Sequence, residues 1–479
     1  MGIEPIQSLF STWLKFLLVV LPLPLLWALA NPMFSSPDEP SHIVRAQGLI
    51  RGDITSPFVT DGLPVDQINC MKFQMAVPAD CMNLTWGPRG LVQESTTNNY
   101  PPLFHAVAGV PSLFSRGLFG AYVMRVWLVV ICSSLFAWAA VLLWRRQSRY
   151  WTIGGIITAL NPMVVFVSSA VNPSGLTTAL AAVIWASGIS ITRPTVGATT
   201  VSIRSTFVIS CVLFPLLRRD AFAWEVLILL IIVSTMNRSR MNELKKDHLI
   251  VGSLLATICA MLWSWFSWSG DATESFIANS IGQNEGSVGA GLGSLYTKIL
   301  EMIGWFGWLD SPMTDVNFII LLCLVSLLLV VGVTAGEQVH ARTIGITFAM
   351  LLLSPVVIGA IRYPYVQGRY LLPLWVGCMI IVGQSLAESS LPEIFLKRLF
   401  HLSVGVMIFT QFFAFAQNLR RYSVGRTGTW KYFQHSSWHP PMMSNLIALE
   451  LAIFALLISI FGMRLVLKTE PSVASAYRR

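Results

Sequence analysis

Charge is what this sequence has least of: Lys, Arg, Asp and Glu make up 11% of 479 residues, against 54% hydrophobic. Apolar runs recur from one end to the other and leave no soluble domain of ordinary size between them, so a stand-alone soluble enzyme is excluded. An all-α, polytopic transmembrane bundle is expected. Familiar energy-coupling and metal motifs are also missing. No loop ends in Gly-Lys-Ser or Gly-Lys-Thr, no dinucleotide glycine fingerprint occurs, and no helix pairs histidines at zinc spacing. An ATP-driven pump and a zinc protease therefore have no support, and energy must come from the substrate. Cysteine is sparse, at seven. Cys132, Cys211, Cys259, Cys323 and Cys378 fall in apolar runs and read as packing residues. Cys70 and Cys81 share the long segment after the first span; bonded or free, they lack the nearby histidine that would suggest zinc.

The net charge of +9 would suggest nucleic acid in a soluble protein. Here much of it sits in short loops, where it sets topology. Apolar runs at about 10–30, 120–144, 151–171, 174–191, 203–218, 221–236, 249–268, 316–335, 343–361, 371–388, 399–416 and 444–466 give about twelve spans. Ala28-Leu29-Ala30 has the look of a signal-peptide cleavage site, but the run before it is longer than a usual signal core and is read as a retained span. With the amino end in the cytoplasm, Arg145 to Arg149, Arg238 to Lys246, Lys397-Arg398 and the tail from Arg464 are cytoplasmic, as positive-inside asymmetry expects. Residues 1–466 then form a single transmembrane domain, with 31–119 and 269–315 as large outer loops and 467–479 as a cytoplasmic tail. The bundle would sit in the plasma (inner) membrane of a bacterium with its site on the extracytoplasmic face.

What the chain does have is a carboxylate pair, Asp38-Glu39, set between prolines just after the first apolar run. Acids so near hydrocarbon are costly unless they face water at a site. Glu39 is expected at an N-cap with Pro40 opening an interfacial helix that carries Ile43, Ala46 and Ile50 on one stripe. A second interfacial helix is expected from about Leu103 to Leu118. The outer face also holds arginines that break the charge rule: Arg218 and Arg219, Arg362 and Arg369, and Arg420, Arg421 and Arg426. Guanidinium groups there suit phosphate oxygens, with headgroup anchoring as the alternative.

Asp38-Glu39-Pro40-Ser41-His42 with Arg45-Ala46 beyond, Asn161-Pro162-Met163, Asn172-Pro173-Ser174-Gly175, Gly307-Trp308-Leu309-Asp310 and Gln367-Gly368-Arg369-Tyr370 resemble, in that order, a poorly characterised bacterial membrane-protein family. That family looks like a branch of the glycosyltransferase C superfamily. The resemblance implies a multi-span enzyme that takes a sugar from a polyprenyl-phosphate donor and passes it to a cell-envelope glycan or lipid acceptor. By the same resemblance Asp38 is the general base and Glu39 its neighbour or alternate. A divalent cation, Mg or Mn, shared by the two carboxylates is a further implication. The sequence departs from larger members in lacking a sizeable soluble domain after the spans.

Transfer from a phosphate-linked donor needs a carboxylate to take the acceptor proton and cations to receive the phosphate. Arg369, Arg45, Arg218 and Arg219 are the phosphate candidates, and a ligand's close approach would explain Gly368. His42, Asp310, Trp308 and Tyr370 are candidates for substrate contact. Capping for Asp38 and an aromatic belt for Trp308 are the plainer readings. The rival functions are a transporter or flippase of lipid-linked sugars, which predicts charges within spans, and a non-catalytic envelope assembly protein.

Overall fold

The computed structural model describes residues 6–82, 84–144, 149–192, 201–236, 238–267, 288–362 and 367–468. Residues 145–148 of the expected cytoplasmic loop, residues 269–287 of the second outer loop, Tyr363-Pro364-Tyr365 and the tail beyond 468 lie outside these. In chain order the helices are α1 Ile6–Val20, α2 Pro22–Ala30, α3 Glu39–Leu49, α4 Pro102–Gly109, α5 Gly117–Trp144, α6 Arg149–Ala159, α7 Pro162–Ser168, α8 Pro173–Thr192 and α9 Val201–Leu213. They continue as α10 Ala221–Ser234, α11 Arg238–Leu244, α12 His248–Ser267, α13 Val288–Gly304, α14 Asp315–Ala335, α15 Gln338–Arg362, α16 Leu372–Ala387, α17 Glu393–Val424 and α18 Asn445–Lys468.

Among the described residues, 7 helices are long and apolar enough to cross a membrane, or 9 if the bent pairs α1–α2 (42°) and α6–α7 (68°) each count as one. Pro22 and Pro162 open the second member of each pair, where a missing N–H breaks the helical ladder. The shorter apolar helices α9 and α10 fall on the two shortest expected runs, and α12 falls on the run at 249–268.

The bundle is built around α8 and α16, which are buried along nearly their whole length. Both are apolar on every side, as helices enclosed by others must be. Small residues set how closely they pack. Gly383 of α16 meets Gly155 of α6 so tightly that a Cβ on Gly383 would lie 2.6 Å from the Gly155 Cα.

Three sequence expectations shift. The interfacial helix starts one residue earlier than read, with Asp38 rather than Glu39 at the N-cap. The second interfacial helix stops at Gly109 and passes through a 3-10 turn, Val110–Leu113, before α5 begins at Gly117. Cys259 and Cys323 are exposed on the bundle's outer face instead of packed within it. A helix missing from the sequence reading, α13, occupies part of the second outer segment and packs on α15. The first outer segment folds around α3 and α4, a short antiparallel ladder of β1 Phe58–Thr60 and β2 Leu91–Gln93, and a Cys70–Cys81 disulfide.

Candidate active site

Asp38 is held in place by three neighbours in space that are distant in sequence. The Asn172 amide donates to the Pro37 carbonyl at 2.9 Å, and the Val171 N–H donates to the Glu39 carboxylate at 3.0 Å. Trp308 Nε1 donates to the Phe34 carbonyl at 3.0 Å, tying the β3 Trp305–Phe306 and β4 Ser311–Pro312 hairpin to the same turn. The turn passes through left-handed backbone at Phe34 (φ 67°) and Asp38 (φ 63°). Aspartate is among the few residues that tolerate this conformation.

At that backbone angle Asp38 occupies the N-cap of α3 without making a side-chain cap bond. Its carboxylate instead accepts from Arg369 Nη2 at 2.9 Å, and the side chain keeps 39% of its surface exposed. Burial of the surroundings pushes the Asp38 carboxyl up, but the Arg369 charge and hydrogen bond outweigh it and hold the group below the usual carboxylate range. Arg369 is 6% exposed, and its Nε and Nη1 are buried without partners among the described residues. Arg369 lines a crevice with Pro37, Met163, Phe166, Glu301, Trp305 and Gln367.

Arg369 owes its position to Gly368. A Cβ there would lie 2.3 Å from the Lys298 carbonyl oxygen and 2.4 Å from the Met302 nitrogen, so the backbone of α13 fills the space the sequence reading assigned to a ligand. The Gly368 N–H donates to Glu301 at 2.7 Å, and Lys298 in turn pairs with Glu301. The Tyr370 ring lies between two guanidiniums, with Arg218 4.0 Å and Arg369 5.5 Å from its centroid. Arg218 also donates to the Ser174 hydroxyl at 2.9 Å and pairs with Asp220 at 2.6 Å. Tyr100 sits close enough to feel Arg218, Tyr370 and Asp38, and burial pushes its phenol up, so it stays protonated as a donor.

His42 lies in this group too, its Nδ1 3.1 Å from His105 Nε2. Burial takes the imidazole down to about 3 against the pull of Asp38, so it is neutral at physiological pH. With His42 neutral, Arg369 is the main charge acting on Asp38, and Arg218 adds a smaller pull in the same direction.

Other expected site residues are committed elsewhere. Glu39 is fully buried, and both of its oxygens are engaged by Arg125 at 2.7 and 2.6 Å. The two carboxylates diverge, and a cation shared between Asp38 and Glu39 does not fit this arrangement. The Arg45 guanidinium is turned onto the Thr97 and Tyr100 carbonyls, away from the crevice, and burial brings it down to about 10. Asp310 is buried against Arg421 at 2.8 Å, and Arg421 also donates to the Met71, Gln74 and Val77 carbonyls inside the disulfide-closed loop. Burial raises Asp310 despite that partner. Trp308 is 8% exposed and covered by Lys72, 4.1 Å from its ring centroid. Arg219, next to Arg218 in the chain, is half-buried.

Sequence reasoning missed Arg125, Tyr100, His105 and Ser174. Only Arg125 carried a signal, as a charge inside an apolar run. Asn172-Pro173-Ser174-Gly175, to which the sequence analysis gave no role in the site, supplies the Asn172 tether and the Ser174 acceptor.

Residues 21–378 match the family described as "Predicted membrane protein (DUF2142)". The chain belongs to that family and is an integral membrane protein. No curated protein matches the sequence. Two similar solved structures are of ArnT from Cupriavidus metallidurans. The one bound to undecaprenyl phosphate is 12% identical at a TM-score of 0.48, with 95% of this chain and 76% of that one covered. The apo form is 13% identical at 0.48, with 95% and 77% covered.

Proposed function

We propose that this member of the family is a membrane glycosyltransferase that moves a sugar from a polyprenyl-phosphate donor to an extracytoplasmic glycan or lipid acceptor. One observation carries the reading: a part-exposed carboxylate, Asp38, sits at an N-cap without capping, paired to a buried arginine two of whose nitrogens have no partner among the described residues. In this scheme Asp38 takes the proton of an acceptor hydroxyl and the freed oxygen attacks the anomeric carbon. The bond from that carbon to the phosphate oxygen breaks, and the electron pair leaves with the phosphate. Arg369, through Nε and Nη1, receives the leaving group, with Arg218 as a second cation. Nη2 stays on Asp38, so the base remains ionised while the phosphate is held. Direct displacement inverts the sugar carbon.

The test is release of polyprenyl phosphate from a panel of polyprenyl-phosphate sugars by purified protein. Asp38→Asn should abolish release while the protein stays folded and in the membrane; retained release removes the mechanism. Transport of lipid-linked sugars is the second reading, favoured by Glu225. That side chain is fully buried in α10 beside Cys211, with no nitrogen or oxygen donor on its carboxyl. Loss of lipid-linked sugar translocation in Glu225→Gln, with release of polyprenyl phosphate intact, would favour it.

A further inference from the structure

The geometry points to a divalent-cation site at the other end of the bundle, formed by Glu337, His340 and Glu388 and suited to zinc. α16 runs from the Arg369 end to Ala387, so Glu388 lies about 24 Å away along the helix at about 1.5 Å per residue. Glu337 and His340 are three residues apart at the start of α15, which puts both on one helical face. Glu388 reaches them from the end of α16. One ligand atom from each of the three lies within 4.8 Å of the others, and His340 Nε2 is 2.8 Å from Glu388 Oε2. One imidazole and two carboxylates form a ligand set that zinc accepts, at about 2.0–2.2 Å each, with a fourth position left for water.

A hydrogen-bonded His–Glu pair alone would explain His340 and Glu388. What it leaves unexplained is Gln384, one turn before Glu388. Its side chain is 1% exposed, and among the described residues neither its amide oxygen nor its amide nitrogen has a partner. Gln384 lines the same cavity as His340, among Trp185, Ile232 and Ile381. A buried amide in apolar surroundings is retained where something polar meets it, and water on a bound ion would be that group. Glu337, by contrast, is exposed, so replacing it tests the ion without disturbing the core.

The experiment is zinc titration of the chelator-treated full chain in detergent, read by calorimetry and by melting temperature. One equivalent should bind saturably and raise the melting temperature. Glu337→Gln and Gln384→Leu should each weaken binding by on the order of tenfold. His340→Ala should remove the site. Absence of saturable binding to the unaltered protein, or equal zinc affinity in all three variants, overturns the proposal.

Discussion

Replacing Glu39 and replacing Asp38 should break different things, although the two are neighbours in sequence. Glu39 and Arg125 are 0% and 1% exposed, and the carboxylate takes three hydrogen bonds, two from Arg125 and one from the Val171 N–H. Arg125 also donates to the Ala28, Asn31 and Pro32 carbonyls, so the pair pins α2 and the Asp38 turn to α5. In Glu39→Gln one oxygen becomes an NH2 facing a guanidinium or a backbone N–H, and Arg125 is left as a buried charge without its counterion. Breaking a buried pair from one side costs about 3–5 kcal/mol. Asp38→Asn keeps an acceptor for Arg369 at a part-exposed position and should cost about 1 kcal/mol or less. Thermal unfolding in detergent, followed by tryptophan fluorescence and by the monodisperse fraction, should show a large loss for Glu39→Gln and little for Asp38→Asn. The release assay should show the reverse severity per folded molecule. Glu39→Leu combined with Arg125→Met should recover much of the stability, since neither charge is then stranded. If Glu39→Gln unfolds at the temperature of the unaltered protein yet releases no polyprenyl phosphate, Glu39 does chemistry and the clamp assignment is wrong.

A base held below the ordinary carboxylate range stays ionised through neutral pH, so kcat/KM should fall only in acid. Arg369→Gln removes the opposing charge and leaves burial, which should move that acid limb to higher pH as well as lower the rate; an unmoved limb would mean Asp38 is not the titrating base. Gly368→Ala forces a Cβ onto the α13 backbone and should displace Arg369, cutting release at least tenfold. Comparison with Arg369→Gln in the same assay checks this, and full activity would show that α13 yields freely. Arg421→Gln strands Asp310 and frees three carbonyls of the 70–81 loop. It should destabilise by about 3–5 kcal/mol, seen as faster proteolysis of that loop and a lower melting temperature.

Much of the fold was legible because membrane burial demands long apolar runs, and such runs are visible one residue at a time. The bent pairs could be placed as spans but not as bends, since Pro22 and Pro162 mark breaks without giving an angle. Helix α13 escaped because its glycine-rich start and mixed face do not resemble a span. Within the site, Asp38, Arg369, Arg218, Tyr370 and His42 were named from sequence and lie together, because each stands at an end of an apolar segment where polar groups gather. Glu39, Arg45 and Asp310 carried the same sequence signal. Their partners, Arg125, the Thr97 and Tyr100 carbonyls and Arg421, lie 52 to 111 residues away in the chain.

By itself the sequence determined that this is an all-helical membrane protein with acids and arginines at span ends, because transfer free energy acts on composition and length, not on arrangement. Only the tertiary structure decided which carboxylate remains available. Two adjacent acids can be told apart only by what each one meets: Glu39 points inward to a buried guanidinium that consumes it. The left-handed turn at Asp38 aims the other carboxylate at Arg369 and open space.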